Sequence, residues 1–212
     1  MNAGEKETGR VEAFSDGVFA IAITLLVLEL KVPHLPDGGA GGSLGRALAA
    51  QWPSWVSLTT SFTTILIMWT NHHALFSMVR RIDARFLFAN GLLLLVVTIV
   101  PFPTAVLAEY FTKPGARIAA AFYGGTFVLA GIAYNLLWDA ASEKGRGLLA
   151  PHVSEEAVAR LRRRYRKGLP LYALATAGAF VHAAVTVAIC AGLCVFWIVA
   201  ARDELAAQRA AA

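Results

Sequence analysis

Long apolar runs that contain almost no charged residues constrain the fold of this sequence more than any other feature. The longest covers 168–201, where 34 consecutive residues include no Asp, Glu, Lys or Arg. Of all 212 residues, 57% are hydrophobic and only 16% are charged, whereas about 25% charged residues is usual in soluble domains. A helix that crosses a bilayer needs about 20 mainly apolar residues. The sequence therefore predicts an all-α integral membrane protein and argues against a soluble enzyme.

The apolar runs predict six transmembrane helices, which together form one domain over 1–212. The first four spans are expected at 11–30, 55–76, 86–107 and 117–138. The run 168–201 would make a helix about 51 Å long, against a hydrocarbon core of roughly 30 Å. A tight turn near 178–184 should therefore divide it into short spans at 168–182 and 184–201. The Pro/Gly-rich stretch 33–45 is expected to be a loop, 139–167 the main extramembrane segment, and Pro101 and Pro103 should kink or unwind the third span.

The basic residues predict the orientation of these spans. With six spans, fifteen of the 19 Lys and Arg fall at one end, and the other end holds only Lys31, Arg46, Lys113 and Arg117. Because basic loops stay in the cytoplasm, we expect a multi-pass protein of the cell membrane with both termini cytoplasmic. The basic run 160–167 is then interpreted as a collar beside the lipid bilayer, and no nucleic-acid partner is expected.

The first span has two chemically different faces. At 100° per residue, Ile21, Leu25 and Leu28 fall on one stripe with Thr24 beside them, whereas Asp16 lies almost opposite. Asp16 is therefore expected to point into the subunit's own helix bundle, where polar groups need protein partners because lipid offers none.

The expected partners of Asp16 lie on the first three spans and form a hydrogen-bonded network with it: Ser15, Trp69, His72 and Asn90. Two interpretations stay open. The network is a structural staple between helices, or it has a gating or pH-sensing role through His72, whose ordinary pKa lies near neutral pH.

No motif for catalysis or metal binding is present in the sequence. His72 and His73 are about 100° apart on a helix and do not converge on one ion, and Cys190 and Cys194 are interpreted as small packing residues. We expect no catalytic residue, no metal, no cofactor and no small-molecule substrate.

The first span carries a specific resemblance. Arg10-x-x-x-Phe14-Ser15-Asp16 and the apolar sequence that follows it to Glu29 resemble the first helix of the transmembrane protein 175 family of lysosomal-type potassium channels. Trp69-x-x-His72-x-x-x-Phe76 in the second span, Asn90, and Pro101-Phe102-Pro103 extend the resemblance. It covers the first half of the chain closely, and the second half is expected to match only in topology.

The resemblance implies a leak-type channel with the potassium ion as permeant and without the Thr-Val-Gly-Tyr-Gly filter of ordinary potassium channels, which this sequence lacks. A chain with one six-helix repeat is expected to form a homotetramer whose first helices line a central pore. The implied constriction consists of Ile21, Leu25 and Leu28, with Thr24 contributing to selectivity. The implied inter-helix network consists of Arg10, Phe14, Ser15, Asp16, Trp69, His72 and Asn90.

Other functions are not excluded by the residues alone. A proton-permeable channel, or a proton-coupled secondary transporter, would use Asp16 and His72 as a relay. A structural or assembly protein of the membrane would show no ion flux.

Overall fold

The computed structural model describes residues 3–34 and 43–210, with side chains for 7–34 and 43–199, and its regular elements there are helices. The predicted loop 33–45 lies mostly outside the described residues. In chain order the elements are α1 (Ala3–Leu25) with a 3-10 turn (Leu26–Glu29), α2 (Leu44–Ala50), α3 (Trp52–Phe76), α4 (Ala84–Ile99), α5 (Pro101–Tyr110), α6 (Ala116–Ser142), α7 (Glu155–Gly178) and α8 (Ala183–Ala210). The predicted all-α class is confirmed.

Three stretches of helix in the described part of the chain are long and apolar enough to cross a membrane. They are Glu7–Glu29, Ala84–Tyr110 and Ala116–Ser142, and a shorter apolar helix covers Ala183–Val199. The six predicted spans overlap with α1, α3, α4 and α5 together, α6, α7 and α8. α3 is rich in Ser and Thr and α7 begins with a basic half, which lowers the hydropathy of both. The count of six membrane crossings stays a prediction.

The third predicted span is interrupted at Val100, between α4 and α5. Pro101 has no N–H to donate to the carbonyl of Val97, and a proline inside a helix breaks the backbone ladder for this reason. The N–H of Val100 bonds to that carbonyl instead, at 3.2 Å. The helix therefore continues with a local tightening at the position where the prolines predict a kink.

The start of the fifth predicted span differs from the structure. α7 begins at Glu155, thirteen residues before the predicted start at 168, because Ser154 caps it by accepting the N–H of Ala157 at 3.2 Å. Arg and Lys are good helix formers, so the basic run 160–167 continues the helix rather than a loop. α6 likewise extends to Ser142, which leaves 143–154 as the non-helical part of the segment predicted to lie outside the membrane.

α7 and α8 form a tight hairpin whose turn occupies 179–182, inside the predicted window. Close helix packing here depends on small residues. A Cβ on Gly178 would lie 2.9 Å from Cγ1 of Val185, and a Cβ on Gly124 of α6 would lie 3.0 Å from Cα of Thr176 on α7. These glycines let neighbouring helices approach more closely than larger residues permit.

The two basic loops at one end of the bundle are joined by backbone pairing. Val79 and Leu149 form an isolated antiparallel bridge, and the N–H of Ala150 donates to the carbonyl of Met78 at 2.9 Å. Arg146 adds a side-chain link to Asp83, with its Nε 3.0 Å from Oδ2. The α3–α4 and α6–α7 connections are therefore held together by hydrogen bonds at one end of the helix bundle.

Candidate functional site: the two faces of the first helix

One face of α1 is apolar and has no partner within the described part of the chain. Ile21 is 60% exposed and Leu28 is 71% exposed, and Leu25 and Thr24 are exposed as well. The hydroxyl of Thr24 donates to the carbonyl of Ile21 on its own helix, at 2.9 Å, which leaves the oxygen's acceptor side free. We call Ile21, Thr24, Leu25 and Leu28 the seam.

The end of the seam is wound more tightly than a regular α-helix. Leu26–Glu29 form a 3-10 turn, in which side chains three residues apart eclipse one another. Leu28 therefore lies almost directly in line with Leu25, rather than about 60° away from it as 100° per residue requires. The tighter turn straightens the seam at this end.

The opposite face of α1 is fixed by packing. Phe19, Ala22 and Leu26 are at most 1% exposed and belong to the main hydrophobic cluster. α1 packs with this face on α3 and α4. The helix consequently has one face committed to the subunit and one face that is not.

A buried chain of hydrogen bonds joins α1, α4 and α3. The amide Nδ2 of Asn90 donates to Oγ of Ser15 at 3.0 Å, and Ser15 donates onward to the carbonyl of Val11 at 2.8 Å. Oδ1 of Asn90 is 2.9 Å from Nε2 of His72, so the imidazole must donate there. His72 is fully buried between the rings of Phe19 and Phe76, whose centroids lie 5.3 and 4.4 Å from its own. These bonds are mutually consistent for a neutral His72 with its proton on Nε2.

Asp16 makes a separate hydrogen bond, so the residues of the one predicted network form two unconnected groups. Nε1 of Trp69 donates to Oδ1 of Asp16 at 2.8 Å, and no hydrogen bond among the described residues connects this pair to Ser15, Asn90 or His72. The reason is geometric. Adjacent positions on a helix point about 100° apart, so Ser15 turns towards α4 while Asp16 turns towards α3.

Arg10 and Phe14 are not brought into either set of bonds within the described residues. Both lie within about 20° of Ile21 when projected down the helix, and Arg10 and Phe14 are exposed, Phe14 by 67%. Their position places them in line with the seam, on the same uncommitted face. The angular argument that places Ile21 and Asp16 on opposite faces also separates these two residues from the network.

A second polar contact lies beside Asp16 and is absent from the predicted network. Oε1 of Glu12 lies 2.9 Å from Nδ1 of His73, and the ring of His73 stacks on Trp69 with 6.1 Å between centroids. Glu12 and Asp16 are one turn apart on α1, as Trp69 and His73 are on α3. Residues at i and i+4 share a helix face. This spacing in both helices is therefore the sequence signal for two neighbouring polar contacts between α1 and α3.

No group of three or more His, Cys, Asp or Glu side chains that could hold a metal ion occurs in the described part of the chain. Glu12, Ser15 and Asp16 on α1 contact other protein groups instead. The site's chemistry is that of an apolar surface braced from behind by hydrogen bonds.

Comparison with known proteins decides the family. The family model described as the endosomal/lysosomal potassium channel TMEM175 matches residues 10–101. A potassium channel of Chamaesiphon minutus is 48% identical over 193 residues, which cover 91% of this chain and 94% of the relative. The chain belongs to the TMEM175 family. TMEM175 is a family of ion channels of the membrane rather than of enzymes.

The likeness to TMEM175-family proteins covers most of the second half of the chain as well. A crystal structure of a lysosomal potassium-selective channel TMEM175 homologue from Chamaesiphon minutus superposes with a TM-score of 0.83 at 46% identity, covering 92% of this chain and 97% of that one. The human endosomal/lysosomal proton channel TMEM175 is 33% identical over 68% of this chain and 30% of its own length.

Proposed function

We propose that this TMEM175-family chain forms a potassium-selective, leak-type channel in which the seam of α1 lines the pore. The observation that carries the proposal is the division of α1 into a packed face and an exposed apolar face. A mainly apolar stripe without a partner in the described part of its own chain is accounted for if copies of the chain face one another across it. The potassium channels to which the chain is similar support the choice of ion.

In the proposed channel the constriction consists of aliphatic side chains rather than backbone carbonyls. A narrow ring of Ile and Leu side chains stops ions because water leaves the constriction. A small widening restores water and permits passage. Potassium gives up its hydration more readily than sodium, so an apolar ring favours it without coordinating it. Ile21 is the proposed main barrier, and the acceptor side of the Thr24 hydroxyl offers a polar contact beside it.

We further infer four chains around one axis and both termini on the cytoplasmic side. A closed ring is the usual outcome for identical subunits that use one interface repeatedly. The orientation rests on the excess of Lys and Arg at the end of the bundle where the loops around Val79 and Leu149 pair. Asp16 and the chain from Ser15 to His72 are proposed to hold α1 in register behind the seam.

Substitution of Ile21 by Asn tests the barrier. A polar side chain keeps the constriction hydrated, so the Ile21→Asn channel in liposomes is expected to admit sodium. Its reversal potential should then correspond to a sodium-to-potassium permeability ratio several-fold higher than that of the wild type. Leu129→Asn, an exposed apolar position on α6, is the matched control and should leave the reversal potential unchanged. Equal potassium-to-sodium ratios in the wild type and Ile21→Asn would contradict the proposal.

Proton permeation is the second candidate, because the similar human, rat and mouse proteins are proton channels by name. Asp16, on the packed side of α1, is the proposed proton-binding group, and His72 is the second group of the proposed relay. Proton flux down a pH gradient in potassium-free liposomes is then expected and should fall in Asp16→Asn. Flux that saturates and demands a cotransported solute would indicate a coupled transporter instead.

A further inference from the structure

The last turn of α1 lies between a packed residue and a polar attachment. Leu26 is 1% exposed, but none of the residues 27–34, all of which the structure describes, is buried. The chain leaves the helix at Leu30, whose backbone is extended with φ −77° and ψ 108°. Leu28, at the end of the seam, therefore follows the last buried residue of α1 by two positions.

Lys31, two residues after this turn, is tied to two other helices. Nε2 of Gln51 donates to the carbonyl of Lys31 at 2.7 Å, and Nζ of Lys31 lies 3.1 Å from Oε2 of Glu109. Gln51 stands where α2 ends and α3 begins, and Glu109 lies near the end of α5. Lys113 also donates to the carboxylate of Glu109, which restrains that carboxylate. We call Gln51, Lys31 and Glu109 the clamp.

The clamp lies at the surface, so polar contacts rather than hydrophobic packing hold this part of the chain. Its three residues and Glu29 line an open cleft of about 420 Å³, which leaves space for the end of α1 to move. The side chains of Lys31 and Glu109 are 76% and 45% exposed, and an exposed ion pair is weak on its own. The clamp therefore depends mainly on the bond from Gln51 to the backbone.

The form of the last turn and the position of the clamp are coupled by length. A 3-10 helix rises about 2.0 Å per residue and an α-helix about 1.5 Å, so Leu26–Glu29 reach about 2 Å further as a 3-10 turn. In the α form the turn would be shorter, and Leu28 would point about 60° away from Leu25. Helices end in either form, so an attachment beyond the turn can select between them.

We propose that the clamp keeps the last turn of α1 in the 3-10 form and thereby aims Leu28 along the seam into the constriction. The inference rests on the proposed function, since it requires the seam to line a pore. Gln51, Lys31 and Glu109 lie outside the seam and are positioning residues that act on permeation through Leu28. Release of the clamp lets the turn shorten, so the ring of Leu28 side chains widens at this end of the pore.

Gln51→Met tests the clamp without changing any charge. Methionine has a similar length but cannot donate to the carbonyl of Lys31, so potassium flux per mole of protein in liposomes should rise several-fold. Adding Lys31→Met, which removes the ion pair with Glu109, should raise the flux further. Lys31→Arg keeps a cation in place and should leave the flux at the wild-type level.

Two controls separate the clamp from general effects of substitution. Ser54→Ala changes another residue that lines the same cleft. Lys144→Met removes an exposed ion pair, with Glu155 at 2.9 Å, at the opposite end of the bundle. Both should leave the potassium flux unchanged. A rise in either control as large as that in Gln51→Met would overturn the proposal.

A double-mutant cycle shows whether the clamp acts through Leu28. Leu28→Ala widens the same ring and should itself raise the flux. In that background Gln51→Met should add nothing, because the effects of coupled residues are not additive and the side chain that the clamp aims is gone. Equal fold-increases from Gln51→Met in both backgrounds, or no increase in either, would overturn the clamp alone. Unchanged flux in Leu28→Ala would contradict the pore-lining seam, and the clamp with it.

Discussion

Asn90 is the residue through which α4 holds both of its neighbours. One amide group bonds to Ser15 on α1 and to His72 on α3, and all three side chains are buried. Buried polar groups that lose a partner retain the full cost of leaving water. The main contribution of the Asn90 side chain is therefore that it provides hydrogen-bond partners for the buried polar atoms of Ser15 and His72.

Asn90→Leu should be strongly destabilising. The substitution keeps the branching and the number of side-chain heavy atoms but leaves Oγ of Ser15 and Nε2 of His72 with fewer partners, at a cost of about 1–3 kcal/mol. Thermal unfolding in detergent measures it. Thr98→Val on the same helix, which removes only a bond to the carbonyl of Leu94, is the control. Equal melting temperatures for the two variants would refute the role given to Asn90.

Asp83, at the end of the connection between α3 and α4, combines a helix cap with an ion pair. Its Oδ1 accepts the N–H of Phe86 at 3.0 Å at the start of α4. That bond, and then Arg146, lower the pKa of the Asp83 carboxyl below its ordinary value. Because the folded-state pKa is depressed, the stabilisation is present above about pH 4 and is lost as the pH falls through the folded-state pKa.

Asp83→Asn and Asp83→Ala separate the two contributions. Asn retains the capping acceptor, so Asp83→Ala should be less stable than Asp83→Asn by about 1 kcal/mol. The advantage of the wild type over Asp83→Asn should shrink as the pH is lowered below about 4. Melting temperatures at pH 7 and at acidic pH report both effects. An advantage that stays constant with pH would exclude the ion pair as its source.

The face on which a side chain lies is predictable from the sequence where the geometry of a single helix determines it. The exposure of Ile21, Leu25 and Leu28 follows from angles along α1 alone. The separation of Asp16 from Ser15 does not, since it depends on where α3 and α4 lie around α1. Arg10 and Phe14 belong to the network only by resemblance, and their angles place them with Ile21.

At the scale of elements, the spacing of α6 and α7 depends on Gly124. A methyl group there would lie 2.7 Å from Oγ1 and 3.0 Å from Cα of Thr176, so backbone as well as side chain must move. Overpacking of this kind costs about 1–3 kcal/mol.

Gly124→Ala and Gly125→Ala make a matched pair for this contact. A methyl group on Gly125 would meet no atom of a neighbouring element within 4 Å, so Gly125→Ala should be neutral or stabilising by up to about 1 kcal/mol through helix propensity. Gly124→Ala should lower the melting temperature. A decrease of the same size in both variants would contradict packing against Thr176 as the cause.

The helices themselves are predictable to within a few residues wherever apolar runs and helix ends coincide. The turn at 179–182 falls in the expected window because a bilayer limits the length of the run. The early start of α7 escapes a hydropathy argument since polar helical residues carry no such signal, although Ser154 followed by Glu155 and Glu156 is a recognisable start signal. The 3-10 turn at Leu26–Glu29 has no such marker in the sequence.

At the scale of the whole molecule, the seam predicts proximity between copies. A cysteine at position 21 should react with a short bismaleimide to give covalent dimers, because each copy of Ile21 faces its symmetry mates across the proposed axis. Ala22→Cys, on the buried face of the same helix, should not. The wild type carries only the buried Cys190 and Cys194 and supplies the background.

Native mass spectrometry of the purified protein should accompany the crosslinking and give a mass of four chains. Crosslinking at Ala22→Cys as fast as at Ile21→Cys would contradict the arrangement of α1 around an axis. A mass of two or three chains would contradict the proposed tetramer while leaving the family assignment untouched.

The division of α1 into two faces also determines how its variants should fail. Substitutions at Ser15, Phe19, Ala22 or Leu26 disturb a closed interior, so their phenotype is a loss of protein from the membrane. Substitutions at Phe14, Ile21, Leu25 or Leu28 leave that interior intact, and their phenotype is altered current from normally produced protein. If every position of α1 is substituted in turn, the angle of the residue around the helix, rather than its depth in the bilayer, should determine which of the two phenotypes appears.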